Sequence, residues 1–158
     1  MKQTAIPMEK LSQIFQTQLD NGGRANLVVT GYSMHPFLHH LRDSVVLVPP
    51  PETLKRGDLI LYTRKSGQYV LHRIVKKPKN GAFVCSGDNQ WKPERVCDHQ
   101  VMALVEGYIR NGKSFSADNF WCRTYVAFWV AMFPVRRPIL ALRRCFGKLC
   151  QKRKKPAG

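Results

Sequence analysis

At 158 residues and 18.1 kDa, the chain is long enough for one domain with its own core and too short for two of ordinary size. Its formal net charge is +16, and no Asp or Glu follows Asp118, whereas Arg123, Arg136, Arg137, Arg143, Arg144, Lys148, Lys152, Arg153, Lys154 and Lys155 all do; such a patch attracts phosphate, in nucleic acid or in anionic lipid headgroups, and charge alone does not separate the two. Five cysteines (Cys85, Cys97, Cys122, Cys145 and Cys150), an odd number with no Cys-x-x-Cys pair, suggest neither a disulfide framework nor a zinc ribbon but reduced thiols facing a cytosol.

Taken in chain order, Met8, Leu11, Ile14, Phe15 and Leu19 recur at helical spacing and are closed by Asn21-Gly22-Gly23, which predicts a short amphipathic helix over residues 7–20. Polar residues interrupt the apolar ones around Lys2, so no cleaved secretory leader is expected. From Leu27 the pattern changes to short β-like runs at Leu27–Thr30, Val45–Val48, Leu59–Thr63, Tyr69–Val75, Ala82–Cys85 and Val101–Ile109. Turn clusters separate them at Pro49-Pro50-Pro51, Arg56-Gly57-Asp58, Lys65-Ser66-Gly67 and Lys79-Asn80-Gly81. Leu59–Val75 reads as a hairpin whose alternation puts Val70, His72 and Ile74 on one face and Leu71, Arg73 and Val75 on the other.

The run Phe120–Val135 is apolar and aromatic, but Arg123 interrupts it and Pro134 followed by Arg136-Arg137 ends it, short of the ~20 residues that cross a bilayer. Pro138–Cys150 then alternates apolar and basic residues as an amphipathic helix does, so an interfacial contact is expected rather than a span. The expected organisation is an N-terminal helix and linker over 1–26, a mostly-β domain over 27–118, and an apolar, then basic, helical tail over 119–158 whose end at Gln151–Lys155 is disordered.

Candidate chemistry lies where apolar runs meet turns. Gly31-Tyr32-Ser33-Met34-His35-Pro36 is followed by Leu71-His72-Arg73-Ile74 and then by Ser86-Gly87-Asp88-Asn89, so a serine, a histidine and an acid appear in order. A serine hydroxyl is a poor nucleophile until a base removes its proton, and a turn serine or a histidine on an apolar strand is more often structural. Other groups are weaker. His35, His39 and His40 have no carboxylate or cysteine at supporting spacing, so a polar loop is expected and no metal or cofactor is assigned. Gly57-Asp58 reads as a structural turn into a strand, while Trp121 and Trp129 lie in the apolar run and mark core or a membrane interface, rather than a stacking platform for bases.

Ser33-Met34-His35-Pro36, Gly57-Asp58, His72-Arg73 and Gly87-Asp88-Asn89 together resemble the signal peptidase I family, endoplasmic-reticulum type, and more distantly the self-cleaving SOS-repressor-like peptidases that share its fold. The resemblance covers about 27–110. It implies a signal-peptidase-like β fold and a serine endopeptidase that cuts a peptide or preprotein through an acyl-enzyme on Ser33. His72 stands at the position of the base, where the endoplasmic-reticulum type has histidine and the bacterial enzymes have lysine. A histidine of ordinary pKa, about 6.5, accepts the serine proton at neutral pH without the strong burial that a lysine needs. Asp88, or Glu94 where the family has a second acid, would hold the His72 tautomer. Because Gly31-Tyr32 precedes the serine where the family has a small Ser-Gly pair, the oxyanion would rest on backbone N–H groups. The alternative is a non-catalytic module of the same fold that docks through its basic tail, on an anionic membrane surface or, less favoured, on nucleic acid. Either reading implies a peripheral protein, with the cytoplasmic side of a membrane preferred.

Overall fold

The computed structural model describes residues 23–78 and 81–135. The expected helix over 7–20 and the basic segment 138–150 lie outside them. The described part is mostly β: β1 (Ala25–Val28), β2 (Ser44–Val48), β3 (Leu59–Thr63), β4 (Tyr69–Lys76), β5 (Ala82–Ser86), β6 (Glu94–Cys97), β7 (Val101–Arg110) and β8 (Lys113–Ser116), followed by helix α1 (Phe120–Ala131). All pairings are antiparallel, in one eight-stranded sheet of order β1-β2-β7-β3-β4-β5-β6, with β8 paired to β7.

Two apolar clusters share this sheet. Ala25, Val29, Met34, Phe37, Leu38, Val45, Leu47, Leu59, Leu61, Ala103, Val105 and Tyr108 form the first. Leu54, Ile60, Tyr62, Val70, Ile74, Phe83, Cys85 and Val96 form the second. Strand β3 contributes alternate residues to both, which is why Leu59-Ile60-Leu61-Tyr62 is an unbroken apolar run rather than an alternating one. Strand β4 follows the same division, so the adjacent residues His72 and Arg73, opposite Ile60 and Leu59 across the β3–β4 hairpin, enter different faces.

The six expected strands are present, and β1 begins at Ala25, inside the segment expected to be linker. Two further strands are added. β6 has one inward residue, Val96, and β8 is exposed throughout, so neither carries the apolar alternation that marks a strand in a sequence. Bulges where β7 meets β2, at Val46/Leu47, and β3, at Leu61/Tyr62, re-aim its ten residues between partners.

Within the Phe120–Val135 run, α1 is capped by the Asn119 side chain, which accepts from the Trp121 amide at 3.0 Å, and Phe133–Val135 adds a short 3-10 turn. The expected division places the run in the tail, apart from the β domain, but one face of α1 packs on that domain. Cys122 and Tyr125 join the first apolar cluster. Arg56 donates to the Val130 carbonyl at 3.2 Å, and Val126 fits where a Cβ on Gly57 would be only 2.8 Å away. Phe120, Trp121 and Phe128 are left on the exposed side. No helix among the described residues is long and apolar enough to cross a membrane.

Candidate active site

Ser33 lies in the loop between β1 and β2. The loop is closed at its base by Val29 N–H on the Asp43 carbonyl (2.9 Å) and Leu41 N–H on the Val29 carbonyl (2.8 Å). Buried Met34, Phe37 and Leu38 anchor it from within. Gly31 turns the chain with φ of +86°, a conformation that costs glycine nothing. Its amide donates to His40 Nδ1 at 2.9 Å, and His39 faces Arg42 and Asp43. These histidines therefore serve the loop, as its polar composition suggests.

The Gly87-Asp88-Asn89 turn after β5 grips this loop. Asn89 donates its backbone N–H to the Ser33 carbonyl at 2.7 Å and its side-chain amide to the Tyr32 carbonyl at 3.1 Å. A Cβ at Gly87 would stand 2.6 Å from the Ser33 carbonyl oxygen and 3.1 Å from both Ser33 Cβ and His72 Nε2. Only a residue without a side chain leaves that space, with the serine on one side and the histidine on the other, unobstructed. No hydrogen bond joins the Ser33 hydroxyl to His72 among the described residues.

His72 is buried, and its Nδ1 edge faces Tyr62 Oη at 3.1 Å, with Glu94 Oε1 at 4.0 Å. Glu94 accepts from Tyr62 Oη at 3.0 Å and from Arg64 Nε at 2.8 Å, and its other oxygen pairs with Arg64 Nη2. Burial lowers the His72 pKa from its ordinary 6.5 to about 4, against the opposing pull of the Glu94 carboxylate. The ring is therefore neutral at neutral pH and well below it, which corrects the expectation of a base titrating near 6.5. The Arg64 hydrogen bond lowers the pKa of Glu94, while burial, followed by the Glu94 charge, raises that of Tyr62.

Asp88 sits elsewhere. Its carboxylate accepts from Arg73 Nε at 3.1 Å and Nη2 at 3.0 Å, and neither side chain is exposed. Arg73 also donates to the Gly57 carbonyl at 2.9 Å and lies 5.1 Å from the centre of the Phe37 ring. From α1, Tyr125 Oη approaches Asp88 Oδ2 at 3.5 Å and Trp129 Nε1 donates to the Asp88 carbonyl at 3.2 Å. With both oxygens engaged away from His72, Asp88 acts as a strut beneath the turn. Glu94, its rival for the role of orienting acid, is the carboxylate on the Nδ1 side.

No protein-family model, curated protein or solved structure matches this chain. Ser33, His72 and Glu94 are brought to one region, and Asp88 is adjacent to it through the backbone. Tyr62, which links His72 to Glu94, and Arg64, which holds Glu94, are not among the residues the sequence singles out. One signal was available: in the β3–β4 hairpin Tyr62 is opposite Val70, one diagonal step from the His72–Ile60 pair on the same face, within reach of an aromatic side chain. A cleft of about 470 Å³ lined by Pro50, Leu54, Lys77, Phe83 and Val101 includes neither Ser33 nor His72.

Proposed function

We propose that the protein is a serine endopeptidase resembling signal peptidase I, cutting a peptide or preprotein through an acyl-enzyme on Ser33 with His72 as general base. The supporting observation is that Ser33 Cβ and His72 Nε2 both lie 3.1 Å from the point a Cβ on Gly87 would occupy. In the acylation step, Ser33 Oγ bonds to the substrate carbonyl carbon as its proton passes to Nε2, and the carbonyl oxygen takes the negative charge. Backbone N–H groups of the serine turn are the donors for that oxyanion. Collapse breaks the C–N bond, and Nε2 returns the proton to the leaving amine. Water then repeats the sequence: its proton goes to Nε2, its oxygen bonds to the acyl carbon, and Ser33 leaves with the proton restored. Base assistance of this kind contributes about 10²–10⁴-fold.

A fluorophosphonate probe followed by peptide mass spectrometry tests the reading. Modification at Ser33 that depends on His72 is expected; folded protein that leaves Ser33 unmodified replaces the enzyme with a non-catalytic module of the same fold that docks through its basic tail.

The proposal extends to location: peripheral contact with an anionic bilayer, on the cytoplasmic leaflet where such lipids concentrate. Trp121 is 77 % exposed and Phe120 71 %, on the side of α1 facing away from the sheet, and the ten basic residues named above follow in sequence. Aromatic burial and headgroup attraction together favour a membrane over nucleic acid, for which the charge alone would serve.

A further inference from the structure

Around the Nδ1 edge of His72 the hydrogen-bond inventory has one consistent solution. Glu94 is held by both nitrogens of the Arg64 fork and keeps its negative charge, so its oxygens accept and cannot donate. Tyr62 has a single hydroxyl hydrogen, and Glu94 Oε2 at 3.0 Å takes it. What Tyr62 then presents to His72 Nδ1, 3.1 Å away, is an oxygen lone pair. Two lone pairs do not face each other at that distance. Nδ1 must carry the hydrogen, and in a neutral imidazole that leaves Nε2 bare. Nε2 is the nitrogen beside Gly87 and Ser33.

We infer that Tyr62 is a positioning residue which, polarised by Glu94, fixes His72 in the tautomer with hydrogen on Nδ1 and a free lone pair on Nε2 directed at Ser33. As a statement about catalysis this rests on the peptidase reading; as a statement about the tautomer it rests on the contacts alone. The reverse arrangement, with the Tyr62 hydrogen turned to Nδ1, would put the histidine hydrogen on Nε2 and remove the base. When Nε2 accepts the Ser33 proton, Nδ1 keeps its own hydrogen and Tyr62 keeps its own. No proton passes along the chain, and the two hydrogen bonds convey the Glu94 charge to the imidazolium. Charged or titratable neighbours of the ring are Tyr62 from β3, Arg64 just beyond its end, Glu94 from β6, and Asp88 with its partner Arg73; Cys85 from β5 stands near Tyr62.

The test is the nitrogen NMR spectrum of the full chain carrying ¹⁵N-labelled histidine, with His72 assigned by its loss in His72→Gln. At pH 7 the wild type should show a protonated Nδ1 and an unprotonated Nε2. Tyr62→Phe, which keeps the ring in the core and deletes only the hydroxyl, should shift His72 toward a mixture of tautomers. Glu94→Gln should do the same, because its amide can donate to Tyr62 and turn the hydroxyl hydrogen toward Nδ1. Fluorophosphonate labelling of Ser33 should fall by about 10²-fold in Tyr62→Phe, within the range that positioned proton transfer supplies. A wild-type His72 protonated on Nε2, or a spectrum that neither substitution moves, overturns the inference. The expected tautomer shifts in a protein whose Ser33 never reacts would uphold the role of Tyr62 at His72 and overturn the peptidase reading.

Discussion

Arg73 and Asp88 form a two-pronged ion pair from which water is excluded on both sides. Each charge depends on the other, and the pair holds the Gly87–Asn89 turn under the Ser33 loop. Asp88→Asn would leave the buried Arg73 guanidinium with neutral amide oxygens as its acceptors and no countercharge. Removing one member of such a pair costs about 3–5 kcal/mol. The expected result in urea denaturation is a large fall in midpoint, with loss of Ser33 labelling following loss of fold. An Asp88→Asn protein of wild-type stability whose folded form no longer labels would return Asp88 to the chemistry.

Gly87 supplies a sharper test of the Ser33–His72 approach. An alanine there forces the Ser33 carbonyl or the His72 ring to move, since its methyl group would lie 2.6 Å from one and 3.1 Å from the other. A misplacement near 1 Å costs about 10²-fold in rate. Gly87→Ala should therefore fold and label slowly; labelling at the wild-type rate would show that the approach is irrelevant to reactivity.

Ser33→Ala and His72→Ala should each abolish nearly all turnover, and the double variant should be scarcely worse than either, because nucleophile and base act as a unit. Additive losses, measured on one peptide substrate, would separate the two residues.

The acid limb of the pH profile distinguishes a buried histidine from an ordinary one. Labelling of Ser33 should stay level as pH falls from neutrality and halve only near pH 4, the value to which burial lowers His72. A midpoint at the ordinary 6.5 would place His72 in water during reaction. Stability has the same sign: below 6.5 the unfolded chain binds a proton on this ring that the folded chain refuses, so folding weakens as pH falls from 6.5 to about 4. Glu94, whose folded pKa is lowered, adds stability above its ordinary 4.5 that is lost with further acidification.

Membrane contact is tested by sedimentation with vesicles rich in phosphatidylserine. Basic residues near such a surface contribute about 1 kcal/mol each and are screened by salt, whereas buried aromatic rings are not. The full chain should bind and be only partly released at high salt, and Trp121→Ser with Phe128→Ser should make release complete. Indifference to vesicles combined with salt-steep binding to DNA or RNA would move the basic segment to nucleic acid.

Much of the fold was legible because burial leaves its period in a chain. The β3–β4 hairpin and the division of its residues between faces follow from alternation at Val70, His72 and Ile74. β6 and β8 escaped because only Val96 among their residues turns inward. At the site, Ser33 and His72 are marked by turns against apolar runs. The partner of Asp88 is not: alternation puts Arg73 on the opposite face from His72, but linear order gives no sign that the Gly87–Asn89 turn sends the Asp88 carboxylate to that face. Tyr62 was hidden by its own hydrophobicity: in an unbroken apolar strand, its hydroxyl looks incidental. Helix α1 was read by its exposed aromatics, although Tyr125 and Trp129, on its other side, hold the Asp88 turn.

Strand β7 carries none of these residues, yet it sits between β2, which follows the Ser33 loop, and β3, which leads into the His72 hairpin. The sheet therefore exists as two incomplete flaps until residues 101–110 join them. A ribosome must finish most of the globular part before Ser33 and His72 can meet, and a single break in β7 would part them while touching neither.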